Sequence, residues 1–269
     1  MRRCIRSPVT VWALWLINIT ILLGLVAWIF SDGQFALATE MLKDRIHAFV
    51  ERGTSAAVYT WYSGRIRILA IITVLAAASF VGIFLGLFFG AKDHRRLRSW
   101  FAFTLLLAAW LTLTGSWREL AWRGQTYRLQ SRTAGFETIA QKLRADWPNA
   151  DGQLSGTGQF MAYPIGGPSM LLMLTRPVVP HTTTSFSSIE RGTDGTLRFE
   201  LIGDEPGAWL EWHPPGSVPQ SFVGGLQNEY PLERFTPLRD GWYLVRYQRS
   251  VSRNPEADLI RGELERAKQ

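Results

Sequence analysis

Three stretches of the chain carry no Asp, Glu, Lys or Arg: Val11–Phe30, Ile68–Ala91 and Trp100–Ser116. An α-helix rises about 1.5 Å per residue, and the hydrocarbon core of a bilayer is about 30 Å thick. Each stretch therefore crosses, or nearly crosses, a membrane as one helix. Helix is also the only state in which an isolated apolar run satisfies its own backbone N–H and C=O groups there. The pattern predicts three transmembrane helices over residues 11–30, 68–91 and 100–116.

Between the first two runs the period changes. Ala38, Met41, Leu42, Arg45, Ile46, Phe49 and Val50 recur at helical spacing, with Glu40, Lys43, Asp44 and Glu51 on other faces. Residues 31–67 thus read as a loop holding an amphipathic helix, laid on the membrane or on the soluble domain. His47 on that helix reads as a surface histidine.

After Ser116 the chain stays helical in pattern but turns polar. Phe136, Ile139, Ala140, Leu143 and Trp147 mark one face of a helix ending at Pro148. Short strand patterns follow at Met170–Thr175, Ser185–Glu190, Thr196–Ile202, Ala208–Trp212 and Trp242–Arg249. Asp194-Gly195 and Asp240-Gly241 are the turn pairs expected of tight hairpins. One helix followed by turn-separated strands predicts an α+β domain with an antiparallel sheet over residues 117–251. Asn254 as N-cap and Pro255 at the first helical position predict a C-terminal helix within residues 252–269.

Charge orients the membrane unit. Residues 1–130 hold fifteen Lys and Arg against six Asp and Glu, whereas residues 131–269 hold fourteen against sixteen. The basic excess flanks the apolar runs, and the domain beyond offers no cationic footprint for a nucleic acid. Its densest clusters are Arg2, Arg3 and Arg6 in the tail 1–10, and Lys92, Arg95, Arg96 and Arg98 in the link 92–99. Such clusters favour the cytoplasmic side. The expected topology is N-terminus inside, with residues 31–67 and the α+β domain extracytoplasmic. Ala36-Leu37-Ala38 has the form of a signal cleavage site, but the first run is nearly twice as long as a signal core and reads better as an uncleaved anchor. Trp12, Trp15, Trp28, Trp61, Tyr62, Trp100, Trp117 and Trp122 lie near the ends of the runs, where an aromatic belt belongs.

The second run carries Ala78, Gly82, Gly86 and Gly90 at every fourth position, a narrow groove for close helix approach. Packing against another helix of the same chain is the preferred reading. Homo-oligomerisation through this helix, or a foreign helix, is the other. No ionisable side chain lies inside any run, which disfavours a transporter or channel.

Signatures of chemistry are sparse. Cys4 is the single cysteine, so neither an intrachain disulfide nor a cysteine cluster for a metal can form. Gly156-Thr157-Gly158 fails the dinucleotide fingerprint, no P-loop can be drawn, and Ser169 lacks a nucleophile elbow. Catalytic residues, metals and cofactors are therefore assigned to none. His181 before Thr182-Thr183-Thr184-Ser185 reads as part of a polar loop. Within Ala208–Trp212, strand alternation sets Ala208, Leu210 and Trp212 on one face and Trp209, Glu211 and His213 on the other. The latter three are the candidate ligand or partner surface, with Trp209 expected to be exposed beside a concavity and Trp212 in the core. The function class that retains all its required parts is a membrane-anchored interaction or assembly protein with a protein partner. An envelope enzyme, with its site in the outer domain, is the alternative.

Overall fold

The computed structural model describes residues 8–35, 39, 64–89, 97–154, 157–175, 177, 179, 184–202 and 207–248. The amphipathic helix expected after the first span, most of the basic link, Gly90, His181 and the C-terminal helix lie outside the described residues. The chain divides into two compact units, Met1–Gln125 and Thr126–Gln269.

The first unit is helical. α1 (Pro8–Ser31), α2 (Gly64–Phe89) and the apolar part of α3 (Leu97–Gln130) are each long and apolar enough to cross a membrane. By length and composition this is a multi-pass membrane protein. The helix α3 runs fourteen residues past Ser116 because Arg118, Glu119, Arg123 and Arg128 are good helix formers, although they end the apolar run.

Polar glue joins the three helices. Asn18 of α1 is fully buried. Its Nδ2 donates to the Ala76 carbonyl (3.1 Å) and to Ser79 Oγ (2.7 Å) on α2. Its Oδ1 accepts the indole N–H of Trp110 on α3 at 2.7 Å. An amide in hydrocarbon is costly unless so paired, and lipid offers no hydrogen bond in its place.

The small-residue groove of α2 is divided by this packing. Gly82 lies against Leu14 of α1, so close that a Cβ there would meet Leu14 Cδ1 at 2.9 Å. Gly86 is buried, whereas Ala78 is on the exposed side of the helix. The buried seam runs instead through Ile66, Leu69, Ala76, Ser79, Ile83, Gly86 and Leu87. A Gly82→Leu substitution should still insert, since leucine favours the bilayer, but should loosen α1 from α2 by about 1–3 kcal/mol through overpacking. Resistance of the detergent-solubilised protein to unfolding measures this, and unchanged resistance would remove the packing role.

Among the described residues, the second unit is a helix laid on a large sheet, with a small hairpin beside it. α4 (Thr133–Ala145) buries Phe136, Ile139, Ala140 and Leu143 on the face that its 3.6-residue period foretells. Among the described residues ten strands follow: β1 (Gly152–Leu154), β2 (Gly158–Tyr163), β3 (Met170–Met173), β4 (Ser185–Arg191), β5 (Leu197–Ile202), β6 (Ala208–Trp212), β7 (Phe222–Val223), β8 (Glu229–Tyr230), β9 (Leu232–Pro237) and β10 (Trp242–Tyr247). Eight of them form an antiparallel sheet in the order β1-β2-β3-β4-β5-β6-β10-β9, and β7 pairs with β8 separately. The α+β architecture with an antiparallel sheet is as the pattern predicts. The Asp240-Gly241 turn has both residues at positive φ (49° and 79°), with Trp242 N–H donating to the Arg239 carbonyl at 2.8 Å. That is a hairpin turn whose twist matches its strands.

Phe136 packs edge-on against Phe199 and Trp242, at centroid distances of 5.4 and 6.2 Å, and beside Phe186 at 6.1 Å. The Trp242 indole N–H donates to Glu137 Oε2 at 2.8 Å, which fixes the helix over β10. Phe186 and Ile189 are both buried although they stand three positions apart, and the pairing of β4 with β5 shifts register between Phe186 and Ser188. The extra residue resets the strand's alternation, as a β-bulge does.

Candidate functional site

Residues directly opposed across antiparallel strands share a face. Opposite α4, two rows run across β4, β5 and β6: Glu190, Arg198 and Glu211 in one, and Ser188, Glu200 and Trp209 in the other. A sheet with one face covered commonly leaves the other to water. Here the segment after β6 folds back over that second face, and its short β7–β8 hairpin brings Phe222 and Tyr230 onto Trp209.

That cover corrects the expected exposure of Trp209. The strand phase is as predicted, since Leu210 pairs with Phe199 and Leu244, whereas Trp209 pairs with Glu200 and Val245. Yet Trp209 is only 1% exposed. Its ring lies 5.7 Å from Phe222, 5.2 Å from Tyr230 and 6.1 Å from Tyr247, and Phe222 stacks on Tyr230 at 4.8 Å. Trp212, expected in the core, is half-buried beneath the Arg144 guanidinium, 3.9 Å above its ring.

Glu211 and His213 are brought together, but beneath the surface, at 0% and 3% exposure. Glu211 accepts the Tyr247 hydroxyl at 2.7 Å, lies 2.7 Å from His213 Nε2 and pairs with Arg198 Nε at 3.5 Å. Burial, and then the Glu211 charge, push the Tyr247 phenol up from its ordinary value, so it remains a hydrogen-bond donor. His213 Nδ1 faces Ser217 Oγ at 3.1 Å and Thr196 Oγ1 at 3.4 Å. Asp194 accepts from the Thr196 hydroxyl at 2.7 Å and from Ser217 at 3.3 Å. Burial works to raise the Asp194 pKa, but the Thr196 hydrogen bonds and the Arg198 charge hold it below the usual carboxylate range. This network ties the β4–β5 turn to the turn after β6.

The concavity lies beside these residues, between the β4–β5 turn and the covering loop. It has a volume of about 580 Å³, and Glu190, Asp194, Arg198, Ser217, Phe222 and Gly225 are among its walls. Glu190 is 4% exposed, and its Oε1 has no hydrogen-bond partner among the described residues. Burial pushes its carboxyl up to about 7, against the opposing pull of Arg198 and of the Gly225 backbone N–H. Gly224 presses its backbone onto this group: a Cβ there would lie 2.7 Å from Glu190 Oε1 and 2.7 Å from Tyr230. The Arg198 guanidinium stands 4.2 Å over the Phe222 ring and reaches toward Glu211.

Glu190, Arg198, Asp194 and Ser217 were not singled out from the sequence. The available signal was Glu190 itself, a carboxylate that follows the serines and apolar residues of Ser185–Ile189 in β4. The Gly224-Gly225 pair, which no hairpin of ordinary loop length requires, was another. Among the described residues, no group of three His, Cys, Asp or Glu is placed to hold a metal ion.

Comparisons with protein-family models, with curated proteins and with solved structures return no match. The class of protein is defined by its own fold: three apolar helices joined to an α+β domain with a polar cavity.

Proposed function

We propose that this is a membrane-anchored binding protein, with its N-terminus in the cytoplasm and its C-terminal domain outside, which holds part of a partner in the cavity beside Glu190. The observation that carries this reading is a cavity of about 580 Å³ walled by the buried carboxylate Glu190, one of whose two oxygens has no hydrogen-bond partner among the described residues. Buried polar groups are paired as a rule, and an exception in a concave site is the mark of a group that awaits a ligand. The extracytoplasmic placement rests on the arginine density before α1 and between α2 and α3.

A photo-crosslinking residue at Val223, on the cavity wall, tests this in cells, with Phe235 on β9 as the control outside the cavity. The expected result is a discrete adduct at Val223 and none at Phe235, with a phosphatase fused after Gln130 active outside. Identical or absent adducts at both positions, or a cytoplasmic domain, would overturn the reading.

The enzyme alternative has one observation in its favour, the sequence of contacts from Ser217 Oγ through His213 to Glu211 (3.1 and 2.7 Å). A serine, a base and a carboxylate that orients it are the parts of an acyl-transfer nucleophile. Here Asp194 shares the Ser217 hydroxyl, and Glu211 is already engaged by Tyr247 and Arg198, so the network reads first as a brace for the cavity rim. Labelling of wild-type protein by a fluorophosphonate, lost in Ser217→Ala, would favour the enzyme over the binding protein.

A further inference from the structure

We infer that the group received in this cavity is a primary ammonium, with Glu190 as its counter-ion. The inference rests on the binding reading above and adds the chemistry of what is bound.

Charge balance supports it. On the face that carries Glu190, the charged groups are Glu200 and Arg198 on β5 and Glu211 on β6; Asp194 stands at the cavity edge in the β4–β5 turn, and the covering hairpin brings Tyr230 with Glu229 next to it in β8. Three carboxylates thus face one guanidinium, and that guanidinium is held at 3.5 Å from Glu211 and over the Phe222 ring. His213 is spent on Glu211 as well. Arg191, also on the wall, lies over the Trp147 ring at 5.7 Å. Glu190 is left as an acceptor in a site short of positive charge, and a buried carboxylate is tolerated only when paired or protonated. Burial, with the Glu200 and Glu211 charges behind it, favours the protonated form against the opposing pull of Arg198 and the Gly225 N–H. An incoming cation supplies the positive charge that the site lacks.

Size and lining favour an occupant larger than a bare ion. The volume of about 580 Å³ is that of a small-molecule pocket, and Ser169, Thr193, Ser221 and Gln227 line it with hydroxyl and amide groups. An ammonium on a polar body fits, whether the body is a free small amine or the chain terminus or lysine of a partner protein.

Three probes separate these sources: glucosamine for a free amine, Gly-Gly-amide for a chain terminus and Nα-acetyl-lysine methylamide for a lysine. Each is titrated calorimetrically into the detergent-purified full chain at pH 8 and pH 6, beside its form acetylated on the amine. At least one probe is expected to bind at least tenfold more tightly than its acetylated form at pH 8. Its affinity should fall about tenfold per pH unit below 7 as Glu190 takes up its proton. Binding at pH 6 should release a proton, seen as a dependence of the heat on the buffer. Glu190→Gln, checked for an intact thermal transition, should lose the preference for the amine. Equal binding of amine and acetylated forms by every probe, an unchanged Glu190→Gln variant, or calcium in place of amines as the tight occupant would each overturn the inference. A Val223 adduct that persists in Glu190→Gln would retain the binding reading while removing the ammonium.

Discussion

Trp209→Ala should destabilise the C-terminal domain by about 3–5 kcal/mol, the usual cost of deleting a buried tryptophan side chain. The residue joins two layers. Its ring is held by Phe222 and Tyr230 from the covering hairpin and by Tyr247 from β10. Removing it leaves a hole that a two-stranded hairpin is too small to fill by collapse. Hydrogen exchange in the full-length protein resolves the effect from the membrane unit: β6 and β10 amides should exchange faster by two to three orders of magnitude, if they open with the domain. Trp212→Ala should cost less, because that ring is half-buried under one guanidinium. If Trp209→Ala left exchange unchanged, the hairpin would not cover the sheet as described.

Glu190→Gln should have the opposite sign. The carboxyl pKa is raised in the folded domain from 4.5 to about 7, so between those values the native state holds a proton that the unfolded chain has lost. Stability attributable to this group is therefore full below pH 4.5 and falls as the pH rises through 7, where the native state must bury the charge. A neutral isostere escapes that penalty. At pH 8 the variant should be more stable than wild type by roughly 2–3 kcal/mol, from the size of the shift. At pH 5 most of the gain should vanish. Thermal melts of the two proteins at both values measure it. A variant less stable at pH 8 would mean that the charge is compensated in the resting protein. Loss of the site paired with a gain in stability is the trade expected where a group is kept for binding.

What could be read in advance divides by physical origin. The membrane helices were legible because each contains an uncharged run long enough to cross a bilayer, and the face Phe136, Ile139, Ala140 and Leu143 of α4 because one period sorts every residue along a helix. The Asp-Gly turns were legible because few residues accept their backbone. β2 and β9 were not, although both alternate in burial, because Met161 and Phe235 put apolar side chains on the exposed positions of Gly158–Tyr163 and Leu232–Pro237. The phase of β6 was readable and the depth of its second face was not. Alternation distinguishes two faces but says nothing of what covers them, and the cover here is two residues each of β7 and β8. The cavity was still harder to foresee, since Glu190 and Gly225 meet only through folding. Predicted from spacing alone, the groove on α2 took in Ala78. The structure turns that residue outward, because the seam also needs Ser79 facing Asn18.

Asn18 bears on how the membrane unit is made. Synthesis delivers α1 first, and its amide then has no protein partner in the bilayer. Arrival of α2 supplies acceptors for Nδ2, but Oδ1 waits for Trp110, ninety-two residues further along the chain. A two-helix intermediate is thus left with an unmet acceptor in hydrocarbon, and only the third helix relieves it. Biogenesis of this unit is complete in steps of three, with the last helix acting as the latch.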